Sequence, residues 1–281
     1  MGLIGISKGV FAFLGEDDTM EEGWGANQGF VATDAGVVVI DTGFTMGRAE
    51  GLRGAIRQET SAPIKLVVNT HDHSDHVFGN SVFADDDPLI VSHSWCRKRL
   101  HRLGPRRLAG YTKVQGMASR LKGLTILEPQ AVFDRGFELT LGGVRFALIH
   151  PRGAHTLGDT MVYLPEQKVL FAGDVLWKDY HPNLEDADIT GWLTALKELS
   201  RMDVKQVVPG HGPVTDPGSA QVLANYISRF EHLVNEAVSR GSPLGDVEKD
   251  IMQPDNESWK LRMIVRRNLD ILSPRYRKMQ H

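Results

Sequence analysis

The sequence predicts an α+β chain in which two mixed β-sheets pack face to face between outer helices, followed by a helical C-terminal extension. Three observations lead there. Short apolar runs separated by Gly-punctuated turns occupy the first two thirds of the chain. Val37–Ile40 is apolar at four consecutive positions, the pattern of a strand covered on both faces. Beyond Thr215 the apolar residues Val222, Tyr226, Phe230, Leu233, Val234 and Val238 recur at helical spacing. A sheet-on-sheet core fits this order better than a doubly wound sheet.

Taken in order, Val10–Leu14, Gly29–Thr33 and Val37–Ile40 read as three early strands, and Arg48–Gln58 as a helix. Ile64–Asn69 and Leu89–Val91 read as strands, and Trp95–Leu103 as a helix. The segment 100–125 is expected to form a helical insertion over the cleft. Ala131–Phe133, Val144–Ile149, Thr160–Leu164 and Val169–Ala172 resume the β pattern. A helix over Ile189–Leu199, with Asp188 or Thr190 near its cap, precedes the strand Gln206–Val208. Helices are expected over Leu244–Met252 and Trp259–Leu272, with Pro254 and Pro274 as punctuation. The division is a catalytic unit over 1–215 and a helical extension over 216–281 packed on it.

With 281 residues, 41% hydrophobic and 24% charged, the chain can bury a sizeable core. A net charge of −3 gives no electrostatic case for nucleic acid or a membrane as an obligate partner. Cys96 is the only cysteine, so no intrachain disulfide can form and a reducing compartment is expected. The first residues, Met1 to Ile6, lack a positive leader and a cleavage site, and no apolar run approaches the roughly 20 residues that span a bilayer. A cytoplasmic location is the expectation; the partner is a small-molecule substrate, and a homo-oligomer stays open. The dense basic cluster Arg97, Lys98, Arg99, Arg102, Arg106 and Arg107 would suit an anionic substrate, a nucleic acid or a plain solvated helix face.

The chemistry is concentrated in Thr70-His71-Asp72-His73-Ser74-Asp75-His76, directly after the strand Ile64–Asn69. Neutral imidazoles and carboxylates are the ligands that borderline divalent metals prefer. Four more segments repeat one arrangement, an apolar strand followed by a Gly-containing turn bearing His or Asp. They are Val39–Gly43 with Asp41, Arg152–Asp159 with His155, Phe171–Asp174, and Val208–Gly212 with His211. Each glycine permits a tight turn or close backbone approach, so every strand end can present a ligand to a common focus.

With these residues the chain resembles the metallo-β-lactamase-fold hydrolase superfamily, whose signature is HxHxDH with downstream His, Asp and His. The resemblance spans residues 10 to 215 and is specific for the fold, much less for the substrate. It implies that His71, His73 and His155 hold a first metal, that Asp75, His76 and His211 hold a second, and that Asp174 bridges both. It implies two divalent ions, zinc in the first place, with iron or manganese as alternatives. Asp41 matches an early aspartate that supports the ligand loops without binding metal. His73 stands where the flavodiiron branch has a carboxylate, and Asp174 where many β-lactamases have Cys or Ser. Those departures, with Thr156–Trp177 and Arg267–Arg277, resemble the zinc metallohydrolases near glyoxalase II.

The implied activity is hydrolysis of an ester, thioester, lactone or lactam by a hydroxide shared between two ions, with Asp75 both ligand and catalytic orienter. The alternatives are a nuclease or phosphodiesterase of the same fold, or a mononuclear iron persulfide dioxygenase using only His71, His155 and Asp174. Asp41, Asp72 and Asp159 are candidates to support the ligand imidazoles from behind. Trp24, Lys178, Tyr180 and His181 are candidate substrate contacts, and His150 is a candidate for either role.

Overall fold

The computed structural model describes residues 2–15 and 17–279; Met1, Glu16, Gln280 and His281, which include both outer limits of the expected division, lie outside the described residues. Two mixed sheets form the centre. The first has seven strands in chain order: β1 (Gly2–Ser7), β2 (Val10–Leu14), β3 (Gln28–Thr33), β4 (Gly36–Ile40), β5 (Ile64–Asn69), β6 (Leu89–His93) and β7 (Ala131–Phe133). Its first four strands are antiparallel neighbours, and from β4 onward the pairing is parallel. The second sheet runs β12-β11-β10-β9-β8, from β8 (Phe137–Leu141), β9 (Val144–Ile149), β10 (Met161–Leu164), β11 (Val169–Trp177) and β12 (Gln206–His211). Only its β11–β12 pair is parallel.

The apolar alternation explains the layering. Val38 and Ile40 of β4 meet Phe146, Leu148, Val162 and Phe171 of the second sheet in the inner core. Val37 and Val39 point the other way, onto Leu52 and Ile56 of helix α1 (Met46–Glu59). The continuous apolar run is therefore buried on both faces. Outside the second sheet, Leu170 and Ala172 pack on Trp192 and Leu196 of α5 (Ile189–Leu199), and on Phe230 of α6 (Ser219–Arg240). Asp188 caps α5 by accepting from the Gly191 amide, one of the two caps the sequence offered.

The C-terminal helices α6, α7 (Leu244–Ile251) and α8 (Met263–Met279) share one core with the second sheet, since Val234, Val247, Val265 and Leu269 belong to the same buried cluster as Trp192. Three features depart from the sequence reading. Pro274 lies inside α8, and α3 (Ser94–Tyr111) runs through Pro105 to Tyr111. Packing of Leu108 and Tyr111 on Phe44 and Phe78 outweighs the proline's local cost in α3. Val222 is half exposed, because Leu223, Tyr226, Ile227 and Phe230 supply the buried face of α6. The edge strands β1 and β8 carry no strong apolar signal, having only one buried face to fill.

Candidate metal centre

Parallel pairing puts the carboxyl ends of β4 and β5 at one edge of the first sheet and those of β11 and β12 at one edge of the second. Asn27, in the turn before β3, ties the two edges together. Its amide donates to the carbonyls of Pro209 and Gly212 at 2.9 and 2.7 Å and accepts from the Gly15 amide. The His71–His76 run and the four Gly-punctuated segments converge at this edge.

Two groups of donor atoms meet there: His71, His73, His155 and Asp174, and beside them Asp75, His76 and His211; within each, the ligand atoms lie within 4.8 Å of one another. Asp174 faces both. Its Oδ2 stands 3.2 Å from His155 Nε2 and 3.6 Å from His71 Nε2, while its Oδ1 stands 3.1 Å from His76 Nε2 and 3.5 Å from His211 Nε2. Asp75 Oδ2 lies 3.3 Å from His211 Nε2 and 3.6 Å from His76 Nε2. A register shift in β11 around Gly173 turns Asp174 into this position, and a Cβ at Gly210 would collide with its carboxylate.

The far nitrogen of every imidazole is held from behind. His71 Nδ1 meets the Thr70 hydroxyl at 3.1 Å, and His76 Nδ1 donates to Asp41 Oδ2 at 2.8 Å. His155 Nδ1 donates to the Asn183 carbonyl at 3.0 Å, and His211 Nδ1 to the Trp24 carbonyl at 3.0 Å. His73 is reversed: Nδ1 faces His155 at 2.9 Å, and Nε2 meets Asp186 Oδ2 at 3.0 Å. These bonds fix each tautomer and aim the free nitrogen inward, the arrangement that supports metal-binding histidines.

The inward atoms fit a cation. Nε2 of His71, His76 and His211 and Oδ1 of Asp174 are buried and make no hydrogen bond among the described residues. An unpaired buried polar atom costs about 1–3 kcal/mol, so four in one spot require a shared partner. Five imidazoles and two carboxylates form a donor set for a borderline divalent metal. Electrostatics divides the donors: against burial, Asp174 raises His76 well above the usual imidazole value and His211 to about 9, and the hydrogen bond to Asp186 raises His73. Burial opposes ionisation of Asp174 and Asp75, but the surrounding imidazoles, His76 foremost, hold both carboxyls below the ordinary range. Burial lowers the His155 imidazole to about 4 and keeps His71 well below its usual value, so both present neutral nitrogens.

Asp41 directly follows β4, in the left-handed region at φ 56, and accepts from His76, from the Thr70 amide at 2.8 Å and from the Thr70 hydroxyl at 2.7 Å. Asp72 and Asp159 do not reach an imidazole. Asp159 accepts from the amide and hydroxyl of Thr156 and so shapes the loop before His155. Asp72 is fully buried and pairs with Arg99 and Arg107, each at 2.9 Å. Arg99 also pairs with Asp186 at 2.5 Å. Two members of the basic cluster therefore face inward, while Arg97, Lys98, Arg102 and Arg106 stay exposed.

A cavity of about 320 Å³ opens above the donors, with Asp75, Asp174, His73 and His211 at its floor. Met20, Trp24, Tyr111, Leu261, Met263 and Ile264 form apolar walls, and Arg107 and Arg267 stand among them. Trp24 lines the cavity. Lys178, Tyr180 and His181 do not. Lys178 turns to Asp179, Tyr180 is buried with its hydroxyl at Gly25, and His181 is buried against Tyr226. Tyr180 joins the core shared with the C-terminal helices, while Lys178 stays partly exposed. His150 stacks on His93 at 3.8 Å and donates to the Asp159 carbonyl, outside the cavity lining. Sequence reading missed Asn183, Asp186 and the Trp24 carbonyl; a backbone oxygen or a lone loop aspartate carries no motif.

Comparison with known proteins accords with this geometry. The chain is 26% identical over 180 residues to the 2,4-dinitroanisole O-demethylase subunit alpha of Nocardioides sp. (strain JS1661), covering 63% of this chain and 50% of that protein. It is 26% identical over 212 residues to the beta-lactamase-like protein 2 homolog of Caenorhabditis elegans, covering 75% and 64%. The chain thus spans half of the first relative and less than two thirds of the second. The solved metallo-beta-lactamase from Pontibacter korlensis superposes with a TM-score of 0.67 at 24% identity, over 81% of this chain and 98% of that one. At that identity the likeness shows the fold alone. The sequence profile of the metallo-beta-lactamase superfamily matches residues 22–211, which hold every donor named above. The chain belongs to the metallo-beta-lactamase superfamily.

Proposed function

We propose that this chain is a metal-dependent hydrolase that opens an ester, thioester, lactone or lactam bond in a small substrate. The observation that carries the reading is Asp174, whose two oxygens face two separate groups of inward-pointing imidazoles. His71, His73 and His155 would hold one ion, Asp75, His76 and His211 a second, and Asp174 would touch both; the imidazole-rich set favours zinc. Such a pair supplies Lewis acidity and brings the pKa of water from 15.7 to about 7.

The chain's own residues do the rest. Asp75 lies at the cavity floor, where its carboxylate can accept a hydrogen bond from the attacking water and hold the proton that the water gives up. Burial and the nearby Asp75 raise the Tyr111 phenol, so the hydroxyl of this cavity-lining residue, beside Ser74, stays protonated and able to donate. A substrate carbonyl bound over the floor could take that hydrogen bond as negative charge develops. The apolar walls exclude water and receive the rest of the substrate, with Trp24 as a direct contact. The division into a catalytic unit over 1–215 and an extension over 216–281, and a place near the glyoxalase II branch, belong to this reading. Their support is α8, which supplies Leu261, Met263 and Ile264 around its start as one wall. Among the described residues no helix is long and apolar enough to cross a membrane, and a cytoplasmic enzyme is part of the proposal.

The deciding experiment measures metal content together with turnover of thioesters, lactones, aryl esters, β-lactams and phosphodiesters. About two ions per chain, loss of turnover on chelation, recovery with zinc, and a loss of about three orders of magnitude in Asp75→Ala are expected. A metal-free chain that still hydrolyses, or a metal-replete chain inert toward every carbonyl substrate, overturns it.

A further inference from the structure

We infer that Asn268, on α8 of the helical extension, positions two of the candidate metal-ligating histidines through the loop 182–186. The inference rests on the metal-centre reading above and assigns the extension a role inside that centre.

Asn268 is fully buried, and both ends of its amide are used on one loop. Nδ2 donates to the Pro182 carbonyl at 2.8 Å, and Oδ1 accepts from the Leu184 amide at 2.9 Å. The residue held between those contacts is Asn183, whose carbonyl orients His155 through Nδ1 at 3.0 Å. The same loop continues to Asp186, whose carboxylate orients His73 through Nε2 at 3.0 Å. Both histidines belong to the donor group completed by His71 and Asp174. Further contacts press the loop onto the same helix. Leu184 packs in the core that contains Leu269 and Leu272, Arg267 pairs with Glu185 at 2.5 Å, and Arg275 donates to the Glu185 carbonyl.

No contact links Asn268 to a donor atom, so it is a positioning residue. Its effect must pass through the loop, because Asn183 and Asp186 of that loop hold the far nitrogens of His155 and His73, with Arg99 of α3 sharing Asp186 from the other side. The other donor group is braced independently, by Asp41 behind His76 and by the Trp24 carbonyl behind His211. Loosening the loop should therefore weaken one half of the centre and spare the other. An amide is needed here because one donor and one acceptor are used at opposite sides of the same turn; Asp would lose the donor and Leu would lose both.

Zinc titration of the full chain tests this, with the wild type compared to Asn268→Leu, Asn268→Asp, Asp186→Asn and the Asn268→Leu/Asp186→Asn pair, each checked for folding by circular dichroism. Expected is a loss of about 10–100-fold in affinity at one of two sites in Asn268→Leu, the size typical of outer-shell changes. The second site should stay within about threefold, Asn268→Asp should fall between, and the double variant should lose less than the product of the single losses. A folded Asn268→Leu that titrates like the wild type, or that weakens both sites equally, overturns the inference. Should Asn268→Leu fail to fold, hydrogen exchange on the unmodified chain decides. Coupling is reciprocal, so zinc should raise protection in 263–273 together with 183–186; protection confined to 71–76 overturns it. A wild-type chain that takes up no zinc sinks the metal-centre reading and this inference with it.

Discussion

His211 donates its Nδ1 hydrogen to the backbone carbonyl of Trp24 at 3.0 Å, so the residue whose indole lines the cavity also orients an imidazole of the metal centre. The backbone is bent to allow this. Gly23, Trp24 and Gly25 are all left-handed, at φ 67, 53 and 76, and the tryptophan alone carries a side chain there. A left-handed non-glycine residue costs about 1–2 kcal/mol, a cost met here by the buried contacts of the indole with Phe44 and Tyr111.

Side chain and carbonyl of Trp24 should therefore separate on mutation. Trp24→Ala removes the wall and keeps the carbonyl, so KM for an apolar ester should rise about tenfold with metal content unchanged. In Gly25→Ala the new Cβ meets the Tyr180 hydroxyl and a φ of 76 disfavours it. That variant should lose metal affinity as well, measured by zinc competition against a chromophoric chelator.

Asp41→Ala should destabilise the chain by about 2–4 kcal/mol, since it strips the acceptor from His76 and from both donors of Thr70. Asn keeps the shape and tolerates the left-handed backbone, so Asp41→Asn should cost less. Denaturant titration of the zinc-free protein reads both. A cost under 1 kcal/mol for Asp41→Ala would show that the carboxylate is not the anchor of these loops.

The basic cluster should split by direction. Arg99→Ala leaves the buried Asp72 and the partly buried Asp186 with fewer partners and should cost about 3 kcal/mol. Arg97→Ala and Arg102→Ala, on the exposed face of α3, should stay within about 0.5 kcal/mol. Equal effects at all three positions would contradict the inward pairing.

His181 should make stability depend on pH away from the metal centre. Burial, with Arg262 adding to it, lowers its imidazole to about 4, against 6.5 for an ordinary histidine. Between those values the unfolded chain binds the proton and the folded chain does not, so this contribution is complete above 6.5 and is lost as pH falls toward 4. Replacing His181 with Asn should flatten the slope of unfolding free energy against pH in that window by up to about 1.4 kcal/mol per pH unit. An unchanged slope would remove His181 from the acid sensitivity.

Much of the fold was legible because burial leaves a periodic trace. Four apolar residues in a row at Val37–Ile40 reflect a strand with α1 on one side and the second sheet on the other. The edge strand Phe137–Leu141 escaped, since Glu138 and Thr140 face outward and dilute the pattern. The helix expected over Trp95–Leu103 runs on through Pro105, and only the packing of Tyr111 against Phe44 shows why it continues. At the site, the side chains that face inward were legible because each follows a strand, four of them in one dense His/Asp run and His155, Asp174 and His211 in Gly-containing turns. What braces them was not. Asp186 lies 113 residues from His73, and Asn183 and Trp24 act through carbonyls that any residue would own.

By itself, then, the sequence determined the chemistry that can gather: imidazoles and carboxylates at strand ends, in an order specific to one superfamily. Only the tertiary structure decided which nitrogen of each ring points inward, which arginines are buried, and that Asn268 of the last helix grips the loop behind His73 and His155. The physical reason is range. Periodicity and turn chemistry act over a few residues and are written locally, whereas a hydrogen bond between distant segments exists only after the sheets and helices have packed.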